Sequence, residues 1–211
     1  MDAKVVLVTE PALAWDDLVA RVITIVAGVP RDAIAVQLRA KQLDGGAVLA
    51  MARALIATGV EVWINDRVDL ALAAGAAGVH LPEHGLDLAD ARVLTTLPIG
   101  CSRHAVATAR TCTADVIQLG PIFETPGKRP IGLEPLGQLG QLGHVGRRAR
   151  LVAVGGIDSA ERASAAAAAG ADAVAVIRAA WSSRDPVMEI RALIAGVEAG
   201  LAVRAREALP I

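Results

Sequence analysis

Aromatic side chains are scarce in this chain: they make up 2% of its 211 residues, with one phenylalanine and no tyrosine. Proteins that bind single-stranded nucleic acid stack bases on aromatic rings, so this composition argues against that function. The formal net charge of −1 also provides no basic surface that would attract a polyanion. We therefore expect no nucleic-acid partner, and any phosphate that is recognised should be small and held in a pocket.

Cysteine is also rare, since Cys101 and Cys112 are the only two, without the spacing of metal ligands. The four histidines do not share ligand spacing on one helix, so no zinc site is expected. The N-terminal sequence "MDAKVVLVTE" lacks a charged-then-apolar leader, and no apolar run is long enough to cross a bilayer. These absences predict a soluble, unprocessed, cytoplasmic protein without a membrane partner.

Apolar residues are plentiful, at 54% of the chain, and they follow a repeating pattern. Short β-branched runs alternate with alanine-rich stretches of helical periodicity. The predicted strands are 5–10, 33–39, 61–66, 78–82, 99–103, 115–120, 151–156 and 173–179. Because these runs are almost continuously apolar, they predict a parallel sheet covered by helices on its outer face. Eight such units predict closure into a single (β/α)8 TIM barrel, one domain spanning residues 1–211.

An open doubly wound sheet is the alternative arrangement of such units. No G-x-G-x-x-G sequence follows the first predicted strand, which disfavours a dinucleotide-binding fold. Segment 133–144 stands in the place of the sixth helix but is rich in glycine. Each glycine costs a helix about 1 kcal/mol relative to alanine, so we expect this segment to be irregular or mobile.

Polar residues follow the predicted strands at the end where barrel enzymes carry their active sites. Gln37, Arg39 and Lys41 alternate in "VQLRAK" and so point to one side of an extended chain. Solvated cations at a strand end are one explanation, but an anionic ligand accounts better for the one-sided placement. Asn65 and Asp66 end the third predicted strand, where either is also suited to be a simple helix N-cap.

Two glycine-containing segments leave similar alternatives open. Gly155 and Gly156 either form a tight turn without a ligand or let a phosphate approach the backbone and the helix that follows. The segment "GPIFETPGKRPIGLEPL" (120–136) is too rich in proline and glycine to continue the sixth strand. Its Thr125 and Lys128 are polar groups on a turn-rich loop at the expected mouth of the barrel.

Taken together, the motifs "VQLRAK", "INDRVDLALAAGAAGVHL", "IGCSRH", "ADVIQLGPIFETPGK" and "VAVGGI…AGADAVAV" resemble the thiamine phosphate synthase / TenI family in their order and spacing. The similarity runs from about the second strand to the eighth. It implies a barrel that joins hydroxymethylpyrimidine diphosphate to thiazole phosphate with Mg²⁺, forming thiamine phosphate and releasing pyrophosphate. The 120–136 segment would then be a flap that contacts both substrates.

The resemblance also implies roles for individual residues. The implied ligands of the pyrimidine diphosphate are Gln37, Arg39, Lys41, Asn65, Ser102 and Lys128. The implied thiazole-phosphate residues are Thr125, Pro126, Gly127, Gly155, Gly156, Ile177 and Arg178. Asp66 is the implied Mg²⁺ ligand.

The expected catalytic residues are the cations Arg39, Lys41 and Lys128. If the pyrimidine methylene loses its diphosphate before the thiazole nitrogen attacks, the barrier falls as charge on the leaving group is neutralised. No general base is required, because the ring nitrogen is already a nucleophile.

Three positions depart from the family pattern. Gly85 replaces an aspartate that is a second Mg²⁺ ligand, Gly127 replaces a threonine, and Arg178 replaces a serine. Glu83 and Asp87 flank Gly85 and are the carboxylates nearest to it in the sequence, so they are the candidates to replace the missing one.

These departures keep two other functions open. A TenI-like thiazole tautomerase is one, although Pro121 replaces the histidine that such enzymes use for proton transfer. The other is a catalytically weakened protein that binds thiamine precursors as a sensor or carrier. The sequence leaves the oligomeric state open, and a homo-oligomer is compatible with it.

Overall fold

Eight parallel strands form a closed barrel in the order of the sequence, within a computed structural model that describes residues 1–9, 14–140 and 149–207. The strands are β1 (Val5–Val8), β2 (Ile34–Leu38), β3 (Glu61–Asn65), β4 (Gly78–Leu81), β5 (Ile99–Arg103), β6 (Val116–Leu119), β7 (Arg150–Val154) and β8 (Ala173–Val176). The barrel closes because β8 pairs with β1. The predicted (β/α)8 barrel is confirmed, and the open doubly wound alternative is wrong.

Helices alternate with these strands. In the described part of the chain they are α1 (Trp15–Gly28), α2 (Gly45–Ala57), α3 (Val68–Ala74), α4 (Leu88–Leu94), α5 (Val106–Arg110), α6 (Glu134–Gly140), α7 (Ala160–Ala168), α8 (Arg178–Trp181) and α9 (Pro186–Glu207), with a single 3₁₀ turn at Arg31–Ala33. None of the helices in these residues is long and apolar enough to cross a membrane.

Two elements differ from the expected pattern. The eighth strand was predicted to reach residue 179, but it ends at Val176 and the chain enters α8 at Arg178. The segment 133–144 was expected to be irregular or mobile, yet residues 134–140 form α6, which buries Leu136. The remaining residues of that segment, 141–144, lie outside the described residues.

Side chains along each strand alternate between the outside and the inside of the barrel, and this alternation produces two hydrophobic clusters. Outward-facing residues pack with the helices in the larger hydrophobic cluster. The smaller cluster includes Val6, Val8, Trp63, Val116, Val152, Ala173 and Ala175. Gly78 leaves room for the Trp63 ring, because a β-carbon there would lie 2.6 Å from the ring. Apolar side chains therefore fill the barrel interior toward the amino ends of the strands, and polar groups occur toward the carboxyl ends.

Candidate active site

Three buried polar side chains lie inside the barrel near the carboxyl ends of its strands. The inward positions of β2, β4 and β6 carry Gln37, His80 and Gln118, each less than 5% exposed. Asn65 ends β3 and Ser102 lies near the end of β5, and both are half-buried. Burial of polar groups costs free energy unless they are hydrogen-bonded. The function of this polar layer therefore depends on the hydrogen-bond partners of its side chains.

The three amides form a chain of hydrogen bonds. Nε2 of Gln118 donates to Oε1 of Gln37 at 2.6 Å, and Nε2 of Gln37 donates to Oδ1 of Asn65 at 3.2 Å. The predicted ligands Gln37 and Asn65 are therefore brought into direct contact. Gln118 was not singled out from the sequence; its signal is a glutamine at the same inward parity as Val116 in an otherwise apolar strand.

His80 contacts a second predicted ligand. Its Nε2 lies 2.8 Å from Oγ of Ser102. Burial, together with the smaller effect of the positive charge of Arg103, lowers the pKa of His80 to about 3. The imidazole is therefore neutral at physiological pH and acts as a hydrogen-bond partner of Ser102. The sequence alone assigns no site role to His80.

Asp66 has an unusual backbone conformation directly after β3. Its φ is 69°, in the left-handed region that aspartate tolerates better than most residues, and its N–H donates to the carbonyl of His80 at 2.8 Å. The N-cap of α3 is Arg67, which makes no side-chain cap. Capping therefore does not explain Asn65 or Asp66. Within the described residues, the Asp66 carboxylate makes no hydrogen bond or salt bridge.

Four predicted cationic ligands surround the mouth. Arg39 is half-buried, whereas Lys41, Lys128 and Arg178 are exposed. None of these four side chains forms a hydrogen bond or a salt bridge with residues 1–9, 14–140 or 149–207. Other arginines do pair with carboxylates, such as Arg67 with Asp69 and Arg162 with Asp158. The cations of the mouth are thus available to an anionic ligand.

Thr9 fixes the backbone that carries Arg39. Its hydroxyl accepts a hydrogen bond from the Arg39 N–H at 2.8 Å and donates to the Arg39 carbonyl at 3.1 Å. Thr9 is 2% exposed. This support was also missed in the sequence, because Thr9 and Arg39 are brought together only by the pairing of β1 with β2.

The loop after β6 packs directly against the end of β7. Gly155 and Gly156 have φ values of 97° and 67°. A β-carbon on Gly155 would lie 2.5 Å from Cβ of Pro121, and one on Gly156 would lie 2.6 Å from the carbonyl oxygen of Glu124. The Phe123 N–H donates to the Gly155 carbonyl at 3.0 Å. Loop packing therefore requires both glycines, and their contact with a phosphate stays a prediction.

The tip of this loop is a tight turn. The Lys128 N–H donates to the Thr125 carbonyl at 3.1 Å, and Gly127 has a φ of 74° at the third position, after Pro126. Proline followed by a residue of positive φ is typical of a type II turn. The Thr125 hydroxyl oxygen is buried and is one of two buried side-chain polar atoms without a hydrogen-bond partner in the described residues. Ile177, which directly follows β8, is half-buried and packs beside the smaller hydrophobic cluster inside the barrel.

Comparison with known proteins identifies the family. The family model described as thiamine monophosphate synthase matches residues 5–180, which include all eight strands. The chain belongs to this family. A thiamine-phosphate synthase of Albidiferax ferrireducens is 37% identical over 212 residues, covering 92% of this chain and 93% of the relative.

Further proteins to which the chain is similar carry related names. A thiamine-phosphate synthase of Gloeobacter violaceus is 39% identical over 193 residues, or 87% of this chain, although the chain spans only 54% of that relative's length. Among solved structures, a thiamine phosphate pyrophosphorylase from Pyrococcus furiosus superimposes with a TM-score of 0.76 at 25% identity, covering 93% of this chain and 97% of the other.

The position of Gly85 in this family member is next to Asp66. A β-carbon on Gly85 would lie 2.9 Å from Oδ1 of Asp66 and 2.7 Å from the Pro82 ring. The two neighbouring carboxylates are engaged elsewhere: Glu83 contacts His104 and Thr108, and Asp87 caps α4. No group of three or more His, Cys, Asp or Glu side chains in the described residues is arranged to hold a metal ion.

Proposed function

We propose that this member of the thiamine monophosphate synthase family condenses hydroxymethylpyrimidine diphosphate with thiazole phosphate to give thiamine phosphate and pyrophosphate. The observation that supports it most strongly is the layer of Gln37, Asn65 and Ser102 beneath a mouth whose cations have no partner among the described residues. Amide and hydroxyl groups under cations suit the oxygen atoms of a diphosphate. The names of the curated relatives support the same activity.

In the proposed reaction the bond between the pyrimidine methylene and the diphosphate oxygen breaks, and pyrophosphate leaves with the bonding electrons. The lone pair of the thiazole nitrogen then forms the new carbon–nitrogen bond, so no proton has to move. Arg39, Lys41 and Lys128 neutralise the charge that gathers on the leaving group. The amides of Gln37 and Asn65 and the hydroxyl of Ser102 orient it.

The thiazole phosphate is assigned to the opposite side of the mouth. Its proposed ligands are Thr125, Pro126, Gly127, Gly155, Gly156, Ile177 and Arg178. The unpartnered Thr125 hydroxyl supports this assignment, because a buried hydroxyl without a partner costs free energy that a ligand oxygen would recover. Arg178 is suited to a phosphate because its guanidinium can donate two parallel hydrogen bonds.

Mg²⁺ is the proposed cofactor, with Asp66 as its protein ligand. The donor set fits this ion only in part. Asp66 is a carboxylate at the mouth without a partner in the described part of the chain, and Mg²⁺ is commonly held by one or two carboxylates together with substrate phosphates and water. When bound, the ion supplies further neutralisation of charge on the leaving group. Asp66 would hold and orient the ion with its free carboxylate.

We further propose that residues 1–211 act as one catalytic domain in the cytoplasm, with small phosphorylated pyrimidine and thiazole compounds as its partners. A TenI-like tautomerase is not favoured, because Pro121 stands where such an enzyme has its proton-transfer histidine. The neutral, hydrogen-bonded His80 gives that reaction no support either.

The test is the release of inorganic pyrophosphate with each substrate alone and with both together. A synthase releases pyrophosphate only when both are present. A tautomerase instead converts the thiazole phosphate carboxylate alone without pyrophosphate release. A binder of thiamine precursors catalyses neither reaction, and that result would contradict the proposed function.

A further inference from the structure

Gln118 is a buried polar side chain to which the proposed reaction gives no role. It is 4% exposed on β6, where its neighbours in register are Ser102 on β5 and Val152 on β7. Its hydrogen bond goes to neither neighbouring strand but to Gln37 on β2, at 2.6 Å. Since β2 and β6 stand four strands apart in the closed order of eight, this bond crosses the barrel interior.

The hydrogen bonds run in one direction, from Gln118 through Gln37 to Asn65. A primary amide has an NH₂ group that only donates and an oxygen that only accepts. Because the NH₂ group of Gln118 occupies the oxygen of Gln37, the NH₂ group of Gln37 faces Asn65 and donates to its Oδ1 at 3.2 Å. Asn65 then has its own NH₂ group left for a ligand.

We propose that Gln118 is a positioning residue, which fixes the amides of Gln37 and Asn65 so that their NH₂ groups are available to the oxygen atoms of a diphosphate. This inference rests on the proposed function, which supplies the diphosphate. If the Gln37 amide rotated by half a turn, its oxygen would face Asn65. The Asn65 amide would then also rotate, so that its NH₂ group donates to that oxygen. An amide oxygen would then face the diphosphate oxygens and repel them.

The test is a double-mutant cycle on the affinity for pyrophosphate in the presence of Mg²⁺, measured by calorimetry. Gln118→Met retains most of the side-chain volume but cannot donate, and we expect roughly 3- to 10-fold weaker binding, the effect of one neutral hydrogen bond. Gln37→Met should also weaken binding. Adding Gln118→Met to Gln37→Met should change the affinity no further, because Gln118 acts through Gln37.

The matched control is Gln138→Met, the same chemical change on α6, where an exposed glutamine donates to Glu134. It should bind pyrophosphate as the wild type does, and circular dichroism should show that all variants are folded. If Gln118→Met fails to fold, Gln118→Leu carries the same test, since leucine is uncharged, smaller than methionine and cannot donate to Gln37.

Three results would overturn the inference: wild-type affinity in a folded Gln118 variant, independent losses that add in the double variant, or a wild-type protein that does not bind pyrophosphate. If the cycle behaves as expected but the wild type forms no thiamine phosphate, the proposed function fails and the role of Gln118 in holding the diphosphate ligands stands.

Discussion

Arg39 is the half-buried cation of the mouth, and its backbone is held by Thr9. We predict that Arg39→Ala weakens the affinity for the pyrimidine diphosphate by about 1.5–3 kcal/mol, the range for a hydrogen bond to a charged group. Stability should change little, because the side chain has no protein partner in the described residues. Calorimetric titration measures the effect, with Arg110→Ala in the last turn of α5 as the control. Unchanged affinity in folded Arg39→Ala would remove Arg39 from the site.

Asp66 and Gly85 determine how the metal is expected to bind. With one free carboxylate, and with Glu83 and Asp87 engaged elsewhere, the free protein should bind Mg²⁺ too weakly to detect at low millimolar concentration. Pyrophosphate should make binding measurable, and Asp66→Ala should abolish it. Calorimetry with and without pyrophosphate is the measurement. Tight Mg²⁺ binding to the free protein would show that another residue replaces the missing aspartate.

His80 makes a prediction about stability and pH. Its pKa is about 3 in the folded protein, below the ordinary 6.5, so between these values the unfolded chain binds a proton that the folded protein does not. The free energy of unfolding should therefore fall as the pH decreases below 6.5, by about 1.4 kcal/mol per pH unit from this group. Denaturant unfolding of the wild type and His80→Gln at pH 7 and pH 5 measures the difference.

The wild type should lose about 2 kcal/mol more than His80→Gln over that range. His84→Gln, which changes an exposed histidine, should behave as the wild type does. Equal losses in the wild type and His80→Gln would show that His80 is protonated in the folded protein near its ordinary pKa.

For single residues, the sequence predicts which side chains lie at strand ends but not which residues hold them in place. Gln37, Asn65 and Ser102 are predicted because they lie near strand ends or match motifs. Gln118 and Thr9 act on residues 81 and 30 positions away, so their roles depend on how the barrel closes and on the register of its strands. Local patterns do not contain that information.

The loop after β6 carries residues that we propose to hold the thiazole phosphate. Gly155→Ala should disturb it twice, through a left-handed φ of 97° and through the contact of its β-carbon with Pro121. Gly75→Ala is the matched control, because Gly75 also has a positive φ but no heavy atom within 4 Å of an added β-carbon. We expect Gly155→Ala to lower the free energy of unfolding by at least about 1 kcal/mol more than the control.

Denaturant unfolding measures this difference, and a titration with thiazole phosphate should show weaker binding for Gly155→Ala alone. Equal destabilisation of the two variants would mean that the loop moves away from β7 without cost. Wild-type binding in Gly155→Ala would remove loop packing from the requirements of the site.

The short helix α8 shows where local pattern fails for an element. The run "AVAVIRA" is β-branched enough to predict a strand to residue 179. Instead, the carbonyl of Ile177 accepts hydrogen bonds from the N–H groups of Ala180 and Trp181, and the Trp181 indole donates to the carbonyl of Val8 on β1 at 2.6 Å. The eighth strand is thus followed by a helical turn whose Trp181 contacts the first strand, and periodicity alone predicts neither feature.

At the scale of the whole molecule, the order of the elements was predictable. Eight apolar runs separated by helical stretches have few ways to bury both faces, and the barrel buries them all. The family was also predictable, because its motifs lie at successive strand ends. The hydrogen bond from Gln118 to Gln37 was not predictable, because it joins strands that are opposite in the barrel.

The central claim is that this mouth synthesises thiamine phosphate, and its most direct test is the stoichiometry of products. Purified protein is incubated with both substrates and Mg²⁺, and thiamine phosphate and pyrophosphate are quantified over time. The account predicts equal amounts of both products, dependence on both substrates, and a large loss of rate in Lys128→Ala. Pyrophosphate without thiamine phosphate, or no turnover by folded protein that binds both substrates, would contradict it.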